Sequence, residues 1–238
     1  IDLDTTVTSV DLTVSGTGDI DISETDGIII TSADTGDGDI TIVAHEMTIA
    51  GAISANTVTL AGTTGRAISL GADGNGEVAA DLDLLDSELD NITATTLVLG
   101  NSSSDDITFY AEMSPNNAIN LTLTTGGSVV DSNTGNDVTS VALVVDAVTG
   151  IDLDTTVTSV DADVTGTGTI NIADTDALTV IKANTFDGTI ELSGTSLLVS
   201  EVNAGTENVT LTASSAGITD GNMGSNNITG GLLTADAV

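Results

Sequence analysis

The stretch IDLDTTVTSVD at residues 1–11 recurs unchanged at residues 151–161. At the same offset of 150, Val14, Gly16, Thr17, Gly18, Ile20, Ile22, Thr25 and Asp26 meet Val164, Gly166, Thr167, Gly168, Ile170, Ile172, Thr175 and Asp176. The register still holds at Asp37–Gly38 with Asp187–Gly188 and at Ile40 with Ile190. Identity kept in register over that distance is duplication, here of residues 1–44 with 151–194, and a unit that long contains several smaller structural turns.

Within the unit, short alternating segments return about every ten residues: 19–23, 39–43, 57–60, 67–70, 96–99, 120–124, 169–172, 189–192 and 208–212. Each sets Ile, Val or Leu on one face and Thr, Asp, Asn or Ser on the other, the period of two that marks a strand. Gly, Asn, Asp and Ser separate them, residues that favour turns, and Pro115 is the single proline. Sandwiches, barrels and solenoids all use such strands. The first two usually fill their centre with large aromatics, and this chain has only Phe109, Tyr110 and Phe186. A solenoid has a narrow bore that stacked Val, Ile, Leu and Ala can fill, and tandem duplication suits it because each coil needs only its neighbours.

The sequence therefore predicts an all-β fold: a right-handed parallel β-helix running as one continuous solenoid over residues 1–238. With coils of roughly 20 residues there are on the order of a dozen, making a rod of roughly 50–60 Å. One segment breaks the rhythm. Leu82, Leu85, Leu89 and Ile92 fall at helical spacing, so a short helical excursion on the flank is expected near 80–92.

Charge narrows the function. The chain has 36 Asp and Glu against Arg66 and Lys182 alone, a net charge of -34. Such a surface has nothing with which to displace counter-ions from nucleic acid, and it repels anionic membranes. Hydropathy is nevertheless positive on average, so the acid sits on a chain with a core. There is no Cys and no apolar run long enough to insert in a membrane. The chain opens mid-pattern at Ile1 without Met, from which a longer precursor is expected.

Enzyme chemistry is not expected. A β-helical lyase needs a basic residue to take a proton and cations to neutralise its substrate, and the two basic residues here lie far apart in sequence. Asp105–Asp106 is a carboxylate pair, but neighbours on a strand point to opposite faces. His45, the only histidine, is expected to be a solvated turn residue beside Glu46. Calcium is the better candidate, since it takes six to eight oxygen ligands from carboxylates and turn carbonyls. The sharpest clusters are Asp34, Asp37 and Asp39 in ADTGDGD, and Asp73, Asn75 and Glu77 in GADGNGE. The second echoes the Gly/Asp nonapeptides that bind calcium between stacked turns. The competing reading makes these residues turn formers on a wet surface. Asn-x-Ser/Thr acceptors occur at Asn91, Asn101, Asn120, Asn208 and Asn227.

Residues 84–100, LLDSELDNITATTLVLG, followed by the Ser/Asp loop and strand of 101–108, resemble a recurrent motif of large bacterial exoproteins. In these, an acidic D-x-E-L-D-x-I stretch precedes a T-A-x-T-L-x-x-G strand. They are filamentous-haemagglutinin-like β-helices. The resemblance covers about 25 residues and implies secretion to the cell surface, an extended shaft and a part in adhesion or surface architecture. The expected function is thus a structural or adhesive shaft segment of a secreted surface protein. A subunit of an extracellular filament, sheath or surface layer is the alternative, and a carbohydrate-acting β-helix a remote one. Its expected partners are adjacent coils of the same chain or further copies of itself.

Overall fold

A computed structural model describes residues 1–71 and 81–238. They form an all-β, right-handed parallel solenoid of about 11 turns, close to the dozen expected. At one strand spacing per turn the rod is roughly 50 Å long. Every strand pair is parallel. All nine segments picked out by alternation coincide with strands, though several strands run longer, such as Ile53–Gly62, Ile92–Asn101 and Gly150–Val164.

The alternation of the sequence becomes columns of like residues. One runs Ile20, Ile40, Val58, Leu97, Leu121, Leu143, Val160, Val180. A second runs Ile68, Ile107, Val129, Ile151, Ile170, Ile190, Val209, Leu233. Every member but the last is buried. Each coil covers the apolar floor of the one below and is covered in turn, so small aliphatic side chains suffice to fill the bore. Phe109 is the one aromatic in that core; Tyr110 and Phe186 lie outside it.

The two copies of the duplicated unit share local structure but not their place on the rod. Both carry a bulge at the same point, Thr31 opposite Val10–Asp11 and Ile181 opposite Val160–Asp161. Ile20 belongs to the first column above and its counterpart Ile170 to the second. The offset of 150 residues is therefore not a whole number of turns, and the second copy has moved round by one face.

The excursion near 80–92 is shorter than its apolar spacing suggested. Among the described residues only Asp86–Leu89 is helical, Leu82–Leu84 is a strand, and Ile92 opens the next one. Leu82, Leu89 and Ile92 are all buried, so the spacing reports three inward contacts rather than one helix face. Leu82–Leu84 pairs with Ile68–Leu70 on the edge opposite Ile107–Phe109, adding a strand to that face. The helical turn then closes a neighbouring edge. Glu88 accepts the Ile49 N–H at 3.0 Å, and the Asn91 amide donates to the Ile49 carbonyl at 3.2 Å.

Turn glycines stack as closely as the strands do. A Cβ on Gly188 would stand 2.0 Å from the Gly168 carbonyl oxygen, and one on Gly38 would stand 2.3 Å from that of Gly18. By contrast a Cβ on Gly217 meets nothing within 4 Å. Gly188→Ala is expected to cost about 2–4 kcal/mol by forcing two coils apart, and Gly217→Ala to stay within about 1 kcal/mol of the native protein. Urea denaturation of the two variants checks this.

Candidate functional site

A set of the carboxylates accepts backbone N–H groups from adjoining coils. Glu24 is buried and accepts from the Thr5 hydroxyl at 2.6 Å, the Val7 N–H at 2.9 Å, and the N–H groups of Thr25 and Asp26. Burial alone would raise its pKa, but these four hydrogen bonds outweigh it and hold the carboxyl below the usual range. In the second copy Asp174 takes the same place. It accepts from the Thr155 hydroxyl and the Val157 N–H, both at 2.9 Å, and from the Asp176 N–H. Elsewhere Asp19 accepts the Asp39 N–H, Asp106 the Ser128 N–H and Asp187 the Thr206 N–H, each reaching from one coil to the next. Amides extend the pattern: Asn203 donates to Asn184, and Asn184 to Asp163, both at 3.0 Å.

Asp137 differs from these. It is fully buried, with the Asp154 N–H on one oxygen at 2.8 Å and the Asn133 amide on the other at 2.5 Å. Burial, reinforced by the charges of Asp131 and Asp154, pushes its carboxyl up to about 7 against the hydrogen bonds that favour ionisation. Asp154 and Asp146 are raised as well, by burial first and by neighbouring carboxylates second.

Both basic residues are held by acid. Lys182 pairs with Asp163 and, at 3.8 Å, with Asp161; the bond to Asp163 raises its pKa. Arg66 is buried and donates to His45 Nε2 at 2.7 Å and to the Asp81 carbonyl at 2.8 Å, with Glu46 at 3.8 Å. Guanidinium can only donate, so His45 Nε2 accepts and its ring proton sits on Nδ1. His45 is exposed, as expected of a turn residue, yet it is tied to Arg66 rather than solvated on both nitrogens.

Asp34, Asp37 and Asp39 are all exposed and lie along one turn. Asp34 accepts the N–H of Gly36, closing its own turn, and Asp39 accepts the Thr57 N–H of the next coil. Among the described residues no group of three or more histidine and acidic side chains stands together as a metal cluster. Asp73, Asn75 and Glu77 lie outside the described residues. Asp106, of the carboxylate pair, caps Ser128, while Asp105 is exposed. Of the glycosylation acceptors, the Asn91 and Asn227 amides are engaged with backbone carbonyls.

Open grooves mark the surface of the rod. One is lined by Thr139, Ser140, Thr156, Thr158, Asp176 and Thr195. Several of its hydroxyls are already bonded within the protein, Thr139 to Glu112 and Thr156 to Thr175 and Asn136. The class defined by these features is a right-handed parallel β-solenoid in which a set of carboxylates and amides ties one coil to the next. No family model, no curated protein and no solved structure matches the chain.

The sequence reading missed the buried acids. Glu24 and Asp174 stand at equivalent positions of the two copies, each just before the matched Thr-Asp pair, so the conserved acid at that point was a visible signal. Asp137 has no such marker, because only the turn that returns Asp154 beside it makes it buried.

Two expectations follow. Asp174→Ala leaves the Thr155 hydroxyl and the Val157 N–H unpaired in the interior, and is expected to lower stability by about 2–4 kcal/mol in urea denaturation. Asp137 is raised in the folded state, so its contribution is full below the ordinary carboxylate pKa near 4 and is lost as pH rises through about 7. The loss amounts to roughly 4 kcal/mol at most. Between pH 5.5 and 8.5 the urea midpoint of the native protein should therefore fall more steeply than that of Asp137→Asn; equal slopes contradict the assignment.

Proposed function

We propose that this chain is a shaft segment of a secreted bacterial surface protein, a filamentous-haemagglutinin-like structural or adhesive element at the cell surface. The observation that carries the reading is the unbroken parallel pairing of successive coils along the whole rod, with carboxylates and amides committed to joining those coils. Its work is mechanical. Stacked coils hold whatever lies beyond them away from the cell, and the negative faces keep neighbouring rods apart. The likeness of residues 84–108 to exoprotein motifs supports the location outside the cell. The alternative is a subunit of an extracellular filament, sheath or layer in which copies of the rod stack or pack laterally. No reaction enters either reading.

Divalent cations belong here as counter-ions of the acidic faces. Calcium at Asp34, Asp37 and Asp39, or at Asp73, Asn75 and Glu77, is the specific version of the same idea. Screening depends on valence, so millimolar calcium and magnesium should raise the melting temperature equally; a rise with calcium alone would favour dedicated sites.

Surface location is tested directly with antibody raised against the 238-residue chain. Intact cells of the source bacterium are expected to label without permeabilisation. Labelling that appears only after the envelope is opened would overturn the proposal.

A further inference from the structure

The single lysine of the chain lies in a duplicated segment whose other copy lacks it. At the offset of 150, Lys182 corresponds to Ser32, Asp163 to Thr13 and Asp161 to Asp11. The backbone is the same in both places: Asp11 pairs with Ser32 and Thr13 with Asp34, as Asp161 pairs with Lys182 and Asp163 with Asn184. An amine and a carboxyl therefore stand on adjoining coils of the second copy where the first copy has two hydroxyls.

The bulge at Ile181 sets Lys182 opposite Asp161, and its side chain reaches along the coil below to Asp163. Nζ is in direct contact with Asp163 Oδ2 and stands 3.8 Å from Asp161 Oδ1. The other oxygen of Asp163 is held: Oδ1 accepts the Asn184 amide at 3.0 Å, and Asn184 accepts the Asn203 amide at 3.0 Å. Beneath Asp163, in register, stands Asp146. Burial and the charges of Asp163 and Asp161 hold the Asp146 carboxyl above its usual range, so it keeps a proton more readily than an ordinary aspartate. The Lys182 and Asp163 side chains are 33% and 22% exposed, partly withdrawn from water.

We infer that Lys182 and Asp163 join in an intramolecular isopeptide bond, a covalent tie between adjoining coils. Moving one proton along the contact turns the ion pair into free amine and carboxylic acid, the two forms that condense. Nζ then attacks Cγ of Asp163 and the Cγ–Oδ2 bond breaks. Oδ2 leaves as water, carrying its own proton and one from the nitrogen. Asp146 gives a proton to the departing oxygen, recovers one from the nitrogen and ends unchanged. The amide that remains keeps Oδ1 as its carbonyl oxygen, still bonded to Asn184, and no oxidant, cofactor or acyl donor enters. The bond to Asp163 raises the Lys182 pKa and makes the free amine the minority form, so the reaction is slow. Contact offsets this, because a nucleophile held against its target reaches effective molarities on the order of 10⁵ M or more. The tie fixes the register of two coils against slip and pull, and it does not rest on the shaft reading.

Trypsin reads the bond directly, because Arg66 and Lys182 are its two cleavage points in this chain. Denatured and unlinked, the chain gives fragments 1–66, 67–182 and 183–238. A lysine whose side-chain nitrogen is an amide is not cut. The native protein, purified and incubated folded before denaturation, is therefore expected to be lighter by one water in an intact-mass measurement. It should then release only fragments 1–66 and 67–238. Asp163→Ala should keep the full mass and be cut at all points, as should Lys182→Arg, which retains the cation beside Asp163. Full mass in the native protein after prolonged incubation, with cleavage after Lys182, would overturn the inference. So would a lost water that leaves Lys182 open to trypsin, the mark of a succinimide at an Asp–Gly step such as Asp187–Gly188.

Discussion

Everything in this protein depends on parallel, in-register pairing of each coil with the next. A parallel ladder leaves no free choice of register, because a slip by one residue would turn the apolar face outward. Once Ile20 is set on Ile40 and Ile40 on Val58, the turns, caps and bulges must repeat at matching heights. The close glycine approaches at Gly38 and Gly188 follow from that spacing: two turns one strand apart leave no room for a Cβ between them.

The acidity of the chain takes on a different meaning in this setting. Corners of a solenoid leave N–H groups that the strands do not satisfy, and a carboxylate one coil away is a strong acceptor for them. Glu24 and Asp174 are the clearest cases, buried and bonded through hydroxyl and backbone donors together. The bonds to Glu24 favour its ionised form, whereas Asp137, desolvated by burial and crowded by Asp131 and Asp154, is stabilised by its proton. The rod thus contains acids that favour opposite protonation states, and its stability depends on pH through both.

Duplication without a whole number of turns has a geometric result. The second copy presents its surface on another face, so features shared by the copies wind around the rod instead of forming one line. A ligand site built by repetition along a single face is therefore not what this repeat makes. Continuity of the core is unaffected, since each face offers aliphatic columns of the same kind.

The sequence by itself determined the fold class, the repeat and the inward residues. Alternation of period two and the 150-residue register are local properties, visible at Ile20, Ile22, Ile170 and Ile172 without any knowledge of what lies above or below. It also marked the excursion near 80–92, though apolar spacing could not separate a helix face from the three inward contacts of Leu82, Leu89 and Ile92. Tertiary structure alone decided which coil neighbours which. Coil lengths vary, so the partner of Asp137, the burial of Arg66 against His45, and the shift of the second copy by one face all depend on summed turn lengths rather than on any one residue. The use of each carboxylate was decided there too, because an Asp in a turn becomes a cap only when the next coil brings an N–H group within reach.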